Sequence, residues 1–433
     1  MKGWFKSSIL LFGALILLAV TTCSCSGANA SSGSTTKRAV VLQNDNTNAV
    51  RNRLLKEDIL FLKNELPKKH INLFHHITEE EFNNLFDQLA EKVDTMGNIR
   101  VFAEINKIIT LVGDAHTSIN YWDGYHYPLE FWIFEDKVYI VNTSTDLEEM
   151  MYSQVLQIDG FDIDSVINQL KTLISHENDQ WVLAMLPNYL QSPVYMYGLG
   201  ILQSEQEAVF TVEKDGKVMD YTVSALEYGE AADFSKKAED VLVGRYNRYY
   251  SYEYLPDSKA LYFIYNVCAD MEDQSFAEFN KEMTAVIDEN DLDKIIIDLR
   301  NNVGGNSEIL NPFTQYLSDR IKGTDVRVYI LVGRNTISSG MFAIYRVKDA
   351  VQEAISVGEP TGGALNHYGD INSINLPNSQ LLINYSTKYF ELNKMFHYKN
   401  EGVGTFLPDI LLQPNIQDYM NGNDVVLNYV LTD

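Results

Sequence analysis

Apolar residues recur at helical spacing along residues 51–112. Leu54, Leu55, Ile59, Leu60 and Leu62 mark a first helix, which Pro67 is expected to break. Thr78-Glu79-Glu80-Glu81 opens a second, with acidic residues in its first turn and an apolar stripe of Phe82, Leu85, Phe86 and Leu89. A third pattern, Phe102, Ile105, Ile108, Ile109 and Val112, runs into Gly113-Asp114-Ala115-His116-Thr117. From 125 to 230 the pattern shortens to strands. Pro128–Phe134, Lys137–Asn142 and Gln154–Ile158 precede a turn at Asp159-Gly160 and a helix over Ile163–Ile174. Val209–Val212 and Tyr221–Val223, joined through Asp215-Gly216, predict a hairpin. Beyond Ser258 the chain alternates. A strand at Ala260–Val267 leads to a helix at Ser275–Asn290, a buried strand at Lys294–Leu299 and another at Val326–Val332. A helix follows over Met341–Val347, then late strands at Leu381–Ile383 and Tyr385–Phe390, and Gly422-Asn423-Asp424 opens a final helix. Strand–helix–strand alternation predicts a layered α/β core.

Three junctions between these elements carry candidate chemistry. The first is Asp298-Leu299-Arg300-Asn301-Asn302-Val303-Gly304-Gly305, where paired glycines follow a buried strand. Such a bend frees backbone N–H groups of the kind that stabilise an oxyanion. The second is Ser338-Ser339-Gly340, between a strand and a helix. A serine there meets the positive end of the helix dipole; it lacks the Gly-x-Ser-x-Gly pattern of the α/β-hydrolases. The third is His116 after a helix, flanked by Asp114 and Thr117. A serine nucleophile needs such a base, because a free hydroxyl is scarcely ionised at neutral pH.

The order of these blocks, continued by Gly358-Glu359-Pro360-Thr361-Gly362-Gly363 and Leu407-Pro408-Asp409-Ile410, resembles the tail-specific (C-terminal processing) serine protease family over roughly residues 51–433. The resemblance implies a ClpP/crotonase-like catalytic domain of repeated ββα units. The best-known branch uses a Ser–Lys dyad, and its lysine position falls here on Ala364, which has no amine. His116 in a Gly-Asp-x-His-Thr setting instead resembles the tricorn-like Ser/His branch. Carried over, Ser339 is the nucleophile, His116 the base, and Gly304 or Gly305 with Gly340 the oxyanion donors. That branch orients its histidine with a glutamate late in the chain, for which Glu401 is the candidate. Asp114, Asp370 and Asp409 rank lower, and His367 is a substitute base ranked below His116. Val155–Gly160 resembles the second half of a PDZ-like domain, a module the family often carries, but no carboxylate-binding Gly-Leu-Gly-Phe loop is visible.

Across 433 residues, 45% are hydrophobic and 21% charged, as in an ordinary globular protein. A formal net charge of −25 argues against nucleic acid as a partner, since phosphate binding needs a basic surface. Lys2, Lys6 and the apolar run Ile9–Val20 read as a signal peptide, too short for a membrane span. Cys23 or Cys25 would take a lipid; Ala28-Asn29-Ala30 is the rival site for plain secretion. Residues 26–50 read as a flexible tether. Cys268 alone remains beyond that region, so an internal disulfide there is excluded and its expected role is packing. His75 and His76 are adjacent and would face apart, so no metal site is expected, and the resemblance implies no cofactor.

The expected architecture is therefore α/β: a ClpP/crotonase-like catalytic domain at 240–433, a PDZ-like β-rich domain at 125–230 and an N-terminal helical region at 51–120, behind a signal peptide at 1–25. The expected function is that of an exported serine-type peptidase acting on peptides or proteins. Any membrane contact would come through the N-terminal lipid. The alternative is a non-catalytic binding protein on the same fold, holding a peptide or hydrophobic ligand. An esterase or acyl-CoA enzyme ranks below both, because export and the absence of clustered basic residues disfavour it.

Overall fold

The structure is a computed structural model that describes residues 48–120, 124–227, 229–236 and 248–433. The expected signal peptide, Cys23, Cys25 and nearly all of the tether lie outside the described residues. Among the described residues, no helix is long and apolar enough to cross a membrane.

The helical region consists of α1 (Ala49–Lys69), α2 (Glu79–Lys92) and α3 (Asn98–Thr110). Asn48 and Thr78 cap the first two by accepting main-chain N–H bonds. Pro67 does not break α1: the helix continues to Lys69, because proline within the last turn removes only one hydrogen bond. These helices do not close a core alone. Leu55, Ile59, Phe86, Ile105 and Ile109 share one cluster with Ile374, Leu381, Ile383 and Tyr385 from far along the chain.

After α3, the short strand β1 (Ile119–Asn120) leads to a mainly antiparallel sheet. Its strands are β2 (Leu129–Phe134), β3 (Lys137–Thr143), β4 (Gln154–Ile158), β5 (Glu207–Lys214) and β6 (Lys217–Ser224), in that spatial order. Three helices are inserted before the β5–β6 hairpin: α4 (Ile163–Lys171), α5 (Asp179–Gln191) and α6 (Pro193–Leu199). The last two have no sequence-based prediction. Pro187 inside α5 and the Ser192-Pro193 break conceal their period, but Val182, Leu186, Leu190 and Met196 bury against the sheet.

The third layer is a six-stranded sheet in the order β7 (Tyr250–Leu255), β8 (Ala260–Tyr265), β9 (Lys294–Asp298), β10 (Arg327–Val332), β11 (Ile355–Gly358), then β14 (Ile410–Leu411). Every pair but β7–β8 is parallel, as the alternating pattern requires. β9 is buried along its whole length, which explains its unbroken apolar run. α7 (Phe276–Glu289), with a Ser275–Glu278 capping box, α8 (Asn311–Tyr316) and α9 (Ser339–Ala350) complete the strand–helix units. A long hairpin, β12 (Asn366–Asn375) and β13 (Leu382–Glu391), stands apart, and β1 pairs with β13. The two expected late strands are one continuous β13. The expected final helix is α10 (Val425–Thr432), capped by Asp424.

Candidate active site

Asp298 ends β9 and is largely buried. Its carboxylate accepts bonds from the Tyr262 hydroxyl at 2.6 Å and from Arg300 at 2.6 Å. Arg300 also pairs with Asp424 at 2.8 Å, so the Asp-Leu-Arg block fastens the last helix to the sheet. Asn302 does the next job. Its amide donates to Tyr265 O at 2.7 Å, its Oδ1 accepts Gly304 N–H at 2.9 Å, and its carbonyl accepts Ile337 N–H at 3.0 Å. The last of these bonds lashes the glycine bend to the turn that carries Ser339.

Both glycines of the bend are required. Gly304 has φ +93°, and a Cβ there would lie 2.7 Å from Ser338 Cβ. Gly305 has φ +127°, and its Cβ would lie 2.4 Å from Cys268 O. Cys268, predicted to pack, is buried beside this bend; burial pushes its thiol up to about 11, so it is unreactive at neutral pH.

Ser339 is the first residue of α9 and is 8% exposed. Ser338 before it has φ +56°, a strained conformation for a residue with a side chain. Thr336 holds the turn: its hydroxyl donates to Leu299 O at 2.7 Å and accepts Gly333 N–H at 3.1 Å. The Ser339 hydroxyl donates to Gly305 O at 2.5 Å. Of the three expected oxyanion donors, Gly304 N–H is taken by Asn302 Oδ1 and Gly340 N–H by Ile337 O at 2.9 Å. Gly305 N–H and Ser339 N–H have no partner among the described residues.

His116 reaches the site through tertiary pairing. Its N–H donates to Asp114 Oδ1 at 2.8 Å, and Thr117 Oγ1 donates to Asp114 Oδ2 at 2.6 Å. Ser118 and Asn384 exchange main-chain bonds, which starts the β1–β13 pairing and lays His116 against the long hairpin. His70 Nδ1 accepts Asn72 N–H, which leaves Nε2–H to donate to Asp114 Oδ2 at 3.1 Å. Burial alone would raise the Asp114 carboxyl. The His70 bond, the charge of His116 and the Thr117 and Ser386 hydroxyls outweigh it and hold the group down at about 2.

The His116 and His367 rings stack with centroids 6.0 Å apart. His367 meets Phe342, one turn beyond Ser339 on α9, edge-on at 6.0 Å, so the two histidines and the serine helix adjoin. Burial pulls His116 below its ordinary value against the opposing Asp114 charge. Burial, and then the neighbouring His116, bring His367 down to about 4. Its Nδ1–H donates to the carbonyl of Ala364, the residue at the expected lysine position. Among the described residues no hydrogen bond joins Ser339 to His116.

Glu401 does not join this group. It is exposed in the loop after β13 and makes no hydrogen bond or ion pair among the described residues. Asp409 bonds Lys348 and Ser356, and Asp370 pairs with Lys388. Glu359 of the Gly-Glu-Pro-Thr block forms a buried pair with Arg334 at 2.5 Å, which also holds Ile133 O and the Trp132 ring. That pair ties the antiparallel sheet to the Gly-Glu-Pro-Thr block. Two acidic groups do come near His116: Asp114, a lower-ranked sequence candidate, and Glu177, which sequence patterns did not single out. Glu177 lies just before α5, in a stretch without a motif.

Asp114, His116 and Glu177 place ligand-type atoms within 4.8 Å of one another. Asp114 already accepts from His70, His116 N–H and Thr117. Its oxygens are thus occupied by donors, which suits a hydrogen-bonded set and not an ion cradle.

No family profile and no curated protein matches the sequence. Among solved structures the chain is similar to mature CPAF, with a TM-score of 0.63 and 13% identity over 88% of this chain and 96% of that one. A serine-to-alanine mutant of CPAF is similar at a TM-score of 0.61 and 12% identity, over 88% and 96% of the two chains. The photosystem II D1 C-terminal processing protease is similar at a TM-score of 0.41 and 13% identity, over 83% and 93%. At such identities the likeness to CPAF establishes the fold, an α/β architecture shared over nearly the whole described chain.

Proposed function

We propose that this chain is a serine-type peptidase of the tail-specific kind, working through Ser339 and His116. The observation that carries this reading is the juxtaposition of the serine helix with a buried imidazole from far upstream. His116 stacks on His367, which packs on Phe342 of the same helix. Burial disfavours the charged ring, so His116 rests neutral and can accept a proton. Ser339 Oγ attacks the peptide carbonyl carbon as its proton passes to His116. The oxyanion takes hydrogen bonds at the glycine bend, where Gly305 N–H is uncommitted; Gly304 and Gly340 shape the bend. His116 then protonates the leaving amine, and water hydrolyses the acyl-enzyme.

Export belongs to the same proposal. It rests on the Lys2–Lys6 and Ile9–Val20 pattern, with lipid attachment at Cys23 or Cys25. A second reading, a non-catalytic binding protein, is favoured by one observation: Ser339 Oγ donates to Gly305 O and not to an imidazole.

A fluorophosphonate probe decides between them. Labelling of the wild-type chain that disappears in Ser339→Ala, with parallel loss of peptide turnover, supports the peptidase. A wild-type chain that neither labels nor cleaves a peptide library favours the binding protein.

A further inference from the structure

Two of the polar atoms that are buried without a partner among the described residues belong to the Asp114, His116 and Glu177 group. One is His116 Nδ1 and the other is Glu177 Oε1. Leaving such atoms unpaired costs about 1–3 kcal/mol each. Asp114 cannot relieve the histidine. Its Oδ1 is 3.8 Å from Nδ1, beyond hydrogen-bond reach, and it already accepts the His116 N–H.

Glu177 is held close by its neighbours. The N–H of Ala115, the residue before His116, acts on its carboxyl and opposes the effect of burial. Next to it, Asn178 caps α5 through Trp181 N–H at 3.0 Å and donates to Gly362 O at 2.9 Å and Gly404 O at 3.0 Å. The segment is therefore pinned to the Gly-Glu-Pro-Thr loop on one side and to the His116 loop on the other. A carboxylate oxygen of Glu177 and a ring nitrogen of His116 lie within 4.8 Å.

We propose that Glu177 is the positioning residue for His116, accepting Nδ1–H and leaving Nε2 as the base. The role that the sequence resemblance gave to Glu401 then passes to a residue of the helical insertion. Burial, and then the Asp114 charge, raise the Glu177 carboxyl well above its usual range. When Nε2 takes the Ser339 proton, the new positive charge on the ring favours the ionised carboxylate, which accepts Nδ1–H. When Nε2 passes that proton to the leaving amine, the ring is neutral again and keeps its Nδ1–H bond to Glu177.

The catalytic part of this proposal rests on the Ser339/His116 reading; the Glu177–His116 contact does not. Two readouts separate them. The titratable groups facing His116 are Asp114 in its own loop, His70 at the end of α1, His367 on β12 and Glu177. In ¹⁵N-histidine NMR, with the His116 ring assigned by its loss in His116→Gln, Glu177→Gln is expected to lower the His116 pKa by about half a unit or more. An unchanged His116 titration overturns the contact. In peptide turnover, Glu177→Gln is expected to lower kcat about tenfold or more, with KM within about twofold. Glu177→Ala should do the same, with a melting temperature near that of the wild type. A kcat within about twofold of wild type, or a change confined to KM, overturns the positioning role. A wild-type chain without Ser339-dependent turnover defeats the peptidase reading, and the NMR titration still decides the contact.

Discussion

The Ser339 hydroxyl donates its proton to the carbonyl of Gly305 at 2.5 Å, and that carbonyl is not free to turn away. The N–H of the same peptide group, on Asn306, donates to Cys268 O at 2.7 Å. In the proposed mechanism, reaction at Ser339 would therefore start with rotation of the serine side chain, not with a flip of the peptide. Restraint of the bend should matter more to the fold than the serine does. Gly305→Ala places a Cβ 2.4 Å from Cys268 O at φ +127° and is expected to destabilise the chain by about 2–4 kcal/mol. Urea denaturation checks this, and a loss below about 1 kcal/mol contradicts the geometry.

Base catalysis should depend on His116 far more than on His367. His116→Ala is expected to slow fluorophosphonate labelling of Ser339 by about 10²–10⁴-fold, the usual contribution of a general base. The His367 Nδ1–H is committed to Ala364 O, and its burial makes it a poor proton acceptor at neutral pH. Substituting His367 should slow labelling much less. Equal losses in the two variants would mean that the bases have been assigned in the wrong order.

Stability should fall in mild acid, partly through His367. Its imidazole titrates near 6.5 when unfolded and near 4 when buried. Between those values the unfolded chain binds the extra proton, so the stabilisation is present above pH 6.5 and is lost as pH falls toward 4. From neutral pH to pH 5 that loss is about 2 kcal/mol. Depressed His116 acts in the same direction, whereas raised Glu177 opposes it, because its contribution fades as pH rises. The comparison to make is between wild type and His367→Asn. The variant should show a shallower decline in denaturation midpoint between pH 7 and pH 5. Parallel curves would show that His367 is not the titrating group.

Arg300 should behave as a structural residue. It bridges Asp298 and Asp424, two carboxylates more than a hundred positions apart. Removing it leaves two mostly buried charges without their counter-ion, at a cost of about 3–5 kcal/mol. Arg300→Met should free α10 first, seen as early proteolysis at the C-terminus. Chemical denaturation gives the magnitude, and a near-neutral effect would assign the Asp-Leu-Arg block some other role.

Much of this protein was legible in the sequence because its signals are local. Strand β9 announces itself by the unbroken Ile295–Ile297 run, since a strand covered on both faces has no polar side to show. Gly304 and Gly305 mark a bend that side chains would block, and Ser339 begins its helix where the pattern placed a helix. α5 and α6 were not legible, because Pro187 and Pro193 interrupt their periodicity while tertiary burial stabilises them regardless.

The functional constellation divides the same way. Residue types and their order, a serine at a helix start, a glycine bend and a histidine after a helix, are properties of short segments and are set by the chain itself. Which groups meet was decided only in three dimensions, by β1 pairing with β13 and by α1–α3 burying their apolar stripe on the long hairpin. Those contacts bring His116 to His367, the Asn178 bonds to Gly362 and Gly404 hold the Glu177 segment near His116, and Glu401 stays in solvent. Electrostatic character followed from that packing, because desolvation depends on what covers a side chain and not on its neighbours in sequence.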